Sequence, residues 1–262
     1  MSNKILSNPG RLQQWKTEFN DAKPFRYLVI DDFLDPSFAE ELASNFPGLK
    51  EMNVSYKGLN ERKSEHSDFD KLPPVFLELK KGLSLSELTA SIELITQIEN
   101  LELINDRLGF GLHQGGKDSF LDIHVDYNLH PTERKLRKIN LILFLNPQWE
   151  SDWGGALEFW NQDVTVCERS ILPAFNRCVL FECNEYSFHG YSKITCPEGI
   201  TRKSFYQYYF TESQQKIAFH DTIFKNKPQE TFVKKIIVPI KESTKNLIKR
   251  TLYKLGFAKL LE

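Results

Sequence analysis

The chain of 262 residues contains only four cysteines and two methionines. No cysteine pair has C-x-x-C spacing, so no Cys/His cluster with the rhythm of a structural zinc site is expected. Four scattered thiols, Cys167, Cys178, Cys183 and Cys196, suit a reducing cytoplasm better than a disulfide framework. The opening Met1-Ser2-Asn3-Lys4 has no apolar signal region, and no run approaches the ~18 apolar residues of a membrane span. Charge of one sign is lacking too. The formal net charge is -1, which carries no nucleic-acid signature. There is no internal repeat and no low-complexity segment.

What is present is an ordinary globular composition, 40% hydrophobic and 26% charged, in a chain long enough for a sizeable core. Twenty phenylalanines point to a β-rich interior. Charge is unevenly placed. Residues 215–262 hold 11 Lys+Arg against 4 Asp+Glu, a net +7, and residues 1–214 hold 23 against 31, a net -8. A basic tail on an acidic body suggests a solvated helix face or an anionic surface partner.

Residues 1–24 read as an N-terminal arm, with residues 1–20 either a short polar helix or a loose arm. Residues 25–34 read as a strand, and Asp35-Pro36 opens a helix, with Asp35 as N-cap and Pro36 at the first helical position. That helix should end near Pro47-Gly48. Residues 51–72 are charged and aperiodic, which predicts a mobile or substrate-contacting loop. Pro73-Pro74 reopens regular structure. Ser84 or Ser86 begins a helix whose apolar positions Ile92, Leu94, Ile95, Ile98 and Leu101 recur at helical spacing. Short aromatic and β-branched segments then follow at 108–113, 119–125, 138–145, 156–160, 177–183 and 203–211, separated by turn residues. The main domain is thus residues 25–214, helical over 35–107 and strand-rich over about 108–212, with an antiparallel sandwich or barrel expected. Residues 215–262 form a basic helical extension. Its stripe of Leu247, Ile248, Leu252, Leu255 and Leu260 is expected to pack on the body, with weak salt-sensitive membrane association as a minor role.

Three short motifs carry chemistry. In His124-Val125-Asp126 the two ligand-type side chains share one face of a strand, with Asp126 where the strand runs into a turn. His189 lies behind a second continuous strand. Two imidazoles and a carboxylate form the facial ligand set of non-haem Fe(II), which leaves coordination positions open. Arg202 follows, and its planar fork can hold a carboxylate bidentately. Ser204, two residues on, shares its strand face and can add a hydroxyl. His130, beside Pro131, reads as a loop residue, and His66 and His220 lie outside the strand region.

Together these motifs resemble the 2-oxoglutarate/Fe(II) oxygenase superfamily, most of all its prolyl-4-hydroxylase-like branch with small bacterial members. The resemblance spans about residues 25–212. It also rests on LFLNPQW at 143–149 with Trp153-Gly154-Gly155, on Phe188-His189-Gly190, and on Arg202-Lys203-Ser204 before Tyr208-Tyr209-Phe210. It implies a mainly β (α+β) double-stranded β-helix, or jelly roll, with flanking helices. It implies Fe(II) on His124, Asp126 and His189, 2-oxoglutarate anchored by Arg202 with Ser204, O2 as oxidant, and ascorbate as a stimulant. Where some prolyl hydroxylases place a co-substrate tyrosine, this chain has Phe144, so a polar contact is expected from His113, Gln114 or Asn140. The implied reaction is hydroxylation of an unactivated C–H bond with release of succinate and CO2. The substrate can be a protein, a glycan or a small molecule, and a non-catalytic cupin-like binding module is the rival class.

Overall fold

The computed structural model describes residues 3–213 and 217–257. Helices α1 (Lys4–Ser7) and α2 (Leu12–Asp21) precede strand β1 (Tyr27–Ile30) and helix α3 (Pro36–Ser44). A hairpin, β2 (Val54–Lys57) and β3 (Glu61–His66), leads to helices α4 (Pro74–Leu83) and α5 (Ser86–Thr96). The strand-rich part runs β4 (Phe110–Gly115), β5 (Phe120–Val125), β6 (Leu136–Phe144), β7 (Leu157–Trp160), β8 (Cys167–Ile171), β9 (Arg177–Glu182), β10 (His189–Tyr191), β11 (Arg202–Thr211) and β12 (Ile223–Phe224). Helix α6 (Phe232–Lys254) follows. The strands pair antiparallel in the order β1-β9-β6-β11-β4-β3-β5-β10-β7-β8, with β12 on β5 and β2 on β3.

Strand alternation separates core from site. On β6, Ile139, Leu141 and Leu143 face the helices, as do Phe205 and Tyr209 on β11. They meet Trp15 and Phe19 of α2, Phe76 and Leu79 of α4, and Ile92 and Ile95 of α5 in one large core. Each fully buried Leu, Ile or Phe of this kind stabilises the fold by roughly 1.5–3 kcal/mol. The intervening residues of β6 and β11 face the other way. Phe144 joins Phe159, Val179 and Phe181 in a second cluster, and Tyr206, Tyr208 and Phe210 form a third.

Local signals explain most of the boundaries. The Asp35 carboxylate accepts from the backbone N–H of Ser37 at 3.0 Å and of Phe38 at 3.4 Å, capping α3. The helix ends at Ser44, before the expected Pro47-Gly48. Within α5, Ile92 and Ile95 are buried, but Leu94 is 61% exposed and does not belong to the packed face. The expected loop over 51–72 is instead largely the β2–β3 hairpin, added to β4 and β5 through β3. Its strands are polar on both sides, so no apolar alternation announced them. Trp15 and Phe19 tie residues 12–21 into the core rather than leaving them as a loose arm.

Helix α6 departs most from expectation. Most of its predicted packing stripe faces water, with Leu247 67%, Ile248 55% and Leu255 65% exposed; Leu252 is half-buried, and Leu260 lies outside the described residues. The face that packs is the opposite, charged one. Lys234 Nζ lies 2.7 Å from Asp122 Oδ2, and Glu242 accepts from the Phe224 N–H at 3.3 Å. Lys245 Nζ donates to the Thr222 carbonyl at 2.7 Å, Lys249 Nζ lies 3.0 Å from Asp221, and Val238 is fully buried. The surface under α6 presents the Asp122 and Asp221 carboxylates, the Thr222 carbonyl and the Phe224 N–H, which charged side chains satisfy and leucines would not. Pro239 lacks the N–H that would bond the Lys235 carbonyl, and Asn226 Nδ2 donates to that carbonyl at 3.5 Å.

Candidate metal centre and co-substrate pocket

Strand pairing explains how two histidines 65 positions apart come together. His189 of β10 is the direct cross-strand partner of His124 on β5, and their ring centroids lie 4.3 Å apart. Asp126 follows the last residue of β5. His124 Nε2 lies 3.5 Å from Asp126 Oδ1, and His189 Nε2 lies 3.9 Å from Asp126 Oδ2. The three donor atoms all fall within 4.8 Å of one another, and among the described residues this is the one such group of three or more His, Cys, Asp or Glu. Gly190 must be glycine here. A Cβ would stand 2.6 Å from the Leu121 carbonyl of β5.

The ring tautomers are set by the backbone. His124 Nδ1 lies 2.9 Å from the Asp122 carbonyl, and His189 Nδ1 lies 2.8 Å from the Ser187 carbonyl. A carbonyl only accepts, so each Nδ1 carries the proton and each Nε2 turns its lone pair to the centre. Burial, reinforced by neighbouring His124, pushes His189 down to about 4, so the ring is neutral at pH 7 and free to ligate. Burial works against the Asp126 carboxylate, but the Arg137 guanidinium outweighs it and holds the group well below its ordinary range.

Arg137, on β6, was not legible in the sequence. Its Nη1 lies 2.9 Å from Asp126 Oδ2, and its guanidinium is stacked over Tyr127 and Tyr208 at 3.4 and 3.7 Å. Asn140, one of the residues considered for the co-substrate, also serves Asp126, with its Nδ2 at 3.4 Å from Oδ2. Two imidazoles with inward-facing Nε2 atoms and one clamped, ionised carboxylate suit a divalent metal of the Fe(II) kind.

Arg202 begins β11 and is 6% exposed. Its guanidinium carbon lies 4.4 Å from the Tyr191 ring centroid and 4.9 Å from that of Phe144. Its Nε donates to the Gly155 carbonyl at 2.7 Å. The Trp153-Gly154-Gly155 turn makes this rest possible, because Gly155 has φ +68° and a Cβ there would come within 3.3 Å of the Arg202 side chain. Among the described residues no carboxylate pairs with Arg202. Burial therefore lowers it to about 10. A buried guanidinium with an open fork is a site for an anionic group, which is what the distal carboxylate of 2-oxoglutarate would supply.

A cavity of about 430 Å³ opens beside the His124 and Asp126 side of the metal centre. Its walls include His124, Asp126, Arg137, Lys63, Glu65 and His113. His113 Nε2 lies 3.3 Å from Glu65 and 3.4 Å from Lys63 Nζ, and its ring stacks on Tyr206 at 4.3 Å. Burial and the Lys63 ammonium push His113 down to about 4. Burial raises Glu65, but its contacts with His113, Lys63 and the Tyr206 hydroxyl, at 2.6 Å, hold it at about 2. Ser204 is buried between its cross-strand partners His113 and Phe144. Gln114 points to the other face of β4, donating to the Thr201 hydroxyl at 2.9 Å along a separate groove. Strand parity separates it from His113. The same parity, read from His189 to Tyr191, was the signal that could have found Tyr191. Elsewhere His130 lies 2.8 Å from Asp106, and His220 lies 3.1 Å from Glu185.

Residues 110–210 match the family model described as the 2OG-Fe(II) oxygenase superfamily. Over that stretch the chain is similar to that superfamily. Prolyl 3-hydroxylase OGFOD1 of Mus musculus is 27% identical over 183 residues, covering 68% of this chain but 31% of the mouse protein. The chain therefore spans about a third of the length of that curated relative. A prolyl-4-hydroxylase of Pseudomonas putida superposes with a TM-score of 0.57 at 18% identity, covering 76% of this chain and 100% of that one. A prolyl hydroxylase of Trichoplax adhaerens, solved with a peptide of hypoxia inducible factor, gives 0.55 at 17% identity over 80% and 94%. These structures share the antiparallel, helix-flanked jelly roll. Among the described residues, His124, Asp126 and His189 are the group that could hold a metal ion.

The neutral histidines make the metal-free protein acid-sensitive. His113 and His189 sit near 4 when folded, against an ordinary 6.5. Between those values the unfolded chain binds more protons, so stability falls as pH drops from about 6.5 to 4, by up to ~1.4 kcal/mol per proton per pH unit. The melting temperature of metal-free protein should be clearly lower at pH 5 than at pH 7. Equal values would show that neither ring is held neutral.

Proposed function

We propose that this protein is an Fe(II)- and 2-oxoglutarate-dependent dioxygenase that hydroxylates an unactivated C–H bond. The observation that carries the reading is that the His124–Asp126–His189 donor set shares strand β10, through His189, with Tyr191, on whose ring the buried, carboxylate-free Arg202 rests. When bound, iron with 2-oxoglutarate and O2 supplies an oxidation in which 2-oxoglutarate becomes succinate and CO2 and the substrate C–H becomes C–OH. His124 and His189 offer Nε2 lone pairs and Asp126 a clamped carboxylate. Arg202 takes the distal carboxylate of 2-oxoglutarate, with Ser204 and Tyr191 at its sides. Phe144 leaves no hydroxyl on its strand, and Tyr191 and His113 are the polar-tipped rings nearest the anchor. Phe144, Phe159 and Phe181 keep that end of the pocket dry.

The relatives support a prolyl residue of a protein as the substrate. A sugar, a lipid-linked glycan or a small metabolite is the alternative, since a shared fold hosts many substrates. A cupin-like binding module would have no use for a buried unpaired guanidinium. Anaerobic titration with Fe(II) and 2-oxoglutarate should develop a metal-to-ligand charge-transfer band. Aerobic incubation with prolyl peptides and glycans, with ascorbate, should then release succinate in step with hydroxylated product. A protein that shows neither band nor succinate is a binding module. Arg202→Lys should raise the 2-oxoglutarate requirement roughly ten- to hundredfold, the equivalent of losing about 1.5–3 kcal/mol of charge-assisted bonding, with Fe(II) affinity nearly intact. Parent-like titration would place the anchor elsewhere.

A further inference from the structure

Helix α6 has its two faces reversed relative to an ordinary surface helix. At 100° per residue, Val238, Glu242, Lys245 and Lys249 fall on the side that meets the barrel. Ile236, Ile240 and Leu247 fall on the opposite side, with Ile248 and Leu255 on one flank, and all five are exposed. No helix of the described residues is long and apolar enough to cross a membrane, so the outward stripe is not a span. Rotating α6 to bury it would break the lysine contacts to Asp122, Thr222 and Asp221. The outward stripe is therefore built into the packing of the helix.

We propose that α6 docks this protein on an anionic lipid surface through that outward face. Charge selects this occupant. The one acid in α6 is Glu242, and it is buried against Phe224 and Lys245. Lys241, Arg250 and Lys254 are exposed on the rims of the stripe, and among the described residues none of them has an ion pair. The exterior of the helix thus carries apolar side chains with the uncharged Thr244 and Thr251 among them, and its only charges are basic, the pattern of an interfacial helix. A second copy of the same face would bring basic rim against basic rim with no acid between them. The helix spans 23 residues, about 35 Å at 1.5 Å per residue, and can lie flat at the headgroup level. Lys241 also lines the cavity that contains His124 and Asp126, so a docked molecule holds the cavity mouth beside the lipid surface. The docking stands on α6 alone and does not depend on the proposed reaction.

The test is sedimentation of the full chain with vesicles of phosphatidylcholine alone and with added phosphatidylglycerol, at low and high salt. Binding should require the anionic lipid and weaken with salt. Each rim cation near an anionic surface adds about fivefold, so Lys241→Gln/Arg250→Gln/Lys254→Gln should bind roughly a hundredfold more weakly. Ile240→Glu/Leu247→Glu should lose vesicle binding with an unchanged melting temperature, because both side chains already lie in water. Equal binding to neutral vesicles, or retention by the double Glu variant, would overturn the proposal. So would a parent dimer in light scattering that the Glu variant dissolves while neither protein binds vesicles, which would make the face an interface between copies.

Discussion

His189→Ala is expected to lose most Fe(II) affinity and all succinate release while keeping its fold. The loss should exceed the ten- to hundredfold typical of removing a mere partner of a metal ligand, because one of three donors disappears. His189 is the donor that the sheet delivers opposite His124, and no other His, Cys, Asp or Glu among the described residues joins this cluster. Its backbone is held between β5 and β7, so an alanine leaves the strand paired. Iron binding would be measured anaerobically by calorimetry, and folding by circular dichroism. Full iron affinity in a folded His189→Ala protein would mean that the distal ligand is a different residue.

Arg137→Met should lower the stability of the metal-free protein by about 3–5 kcal/mol, the cost of removing one member of a buried ion pair. Methionine preserves bulk but abandons the Asp126 carboxylate, and it gives up the stacking on Tyr127 and Tyr208. Asp126 keeps slight solvent contact, with 12% of its side chain exposed, which places the effect toward the lower end. A divalent cation should recover much of the loss, since it puts positive charge beside the same carboxylate and stabilises by mass action. Denaturant melts with and without Mn(II) would read both effects. A metal-free Arg137→Met protein as stable as the parent would show that the guanidinium is not what steadies Asp126.

The sequence by itself determined the chemistry that depends on residue type and short spacing. His124 and Asp126 are two apart on one strand, Arg202 and Ser204 share a face by the same parity, and Asp35-Pro36 caps its helix by local hydrogen bonding. The strand-rich second half was legible because its short segments are rich in aromatic and β-branched residues and separated by turn residues. Tertiary structure alone decided the rest. Arg137 reaches Asp126 because the chain after β5 turns back through the Leu129–Leu136 bridge and the Arg137 N–H bonds the Asn128 carbonyl, a turn that the residue pattern did not announce. Gln114 and His113 were equal candidates until the register of β4 turned one toward the cavity and the other away. The β2–β3 hairpin gave no hydrophobic signal, since it is held by backbone pairing to β4 and β5. Helix α6 is the sharpest case. Its amphipathic period was plain, but periodicity shows that a helix has two faces and not which one meets the body. The polar surface of residues 221–224 chose the lysines, and the apolar stripe was left facing outward.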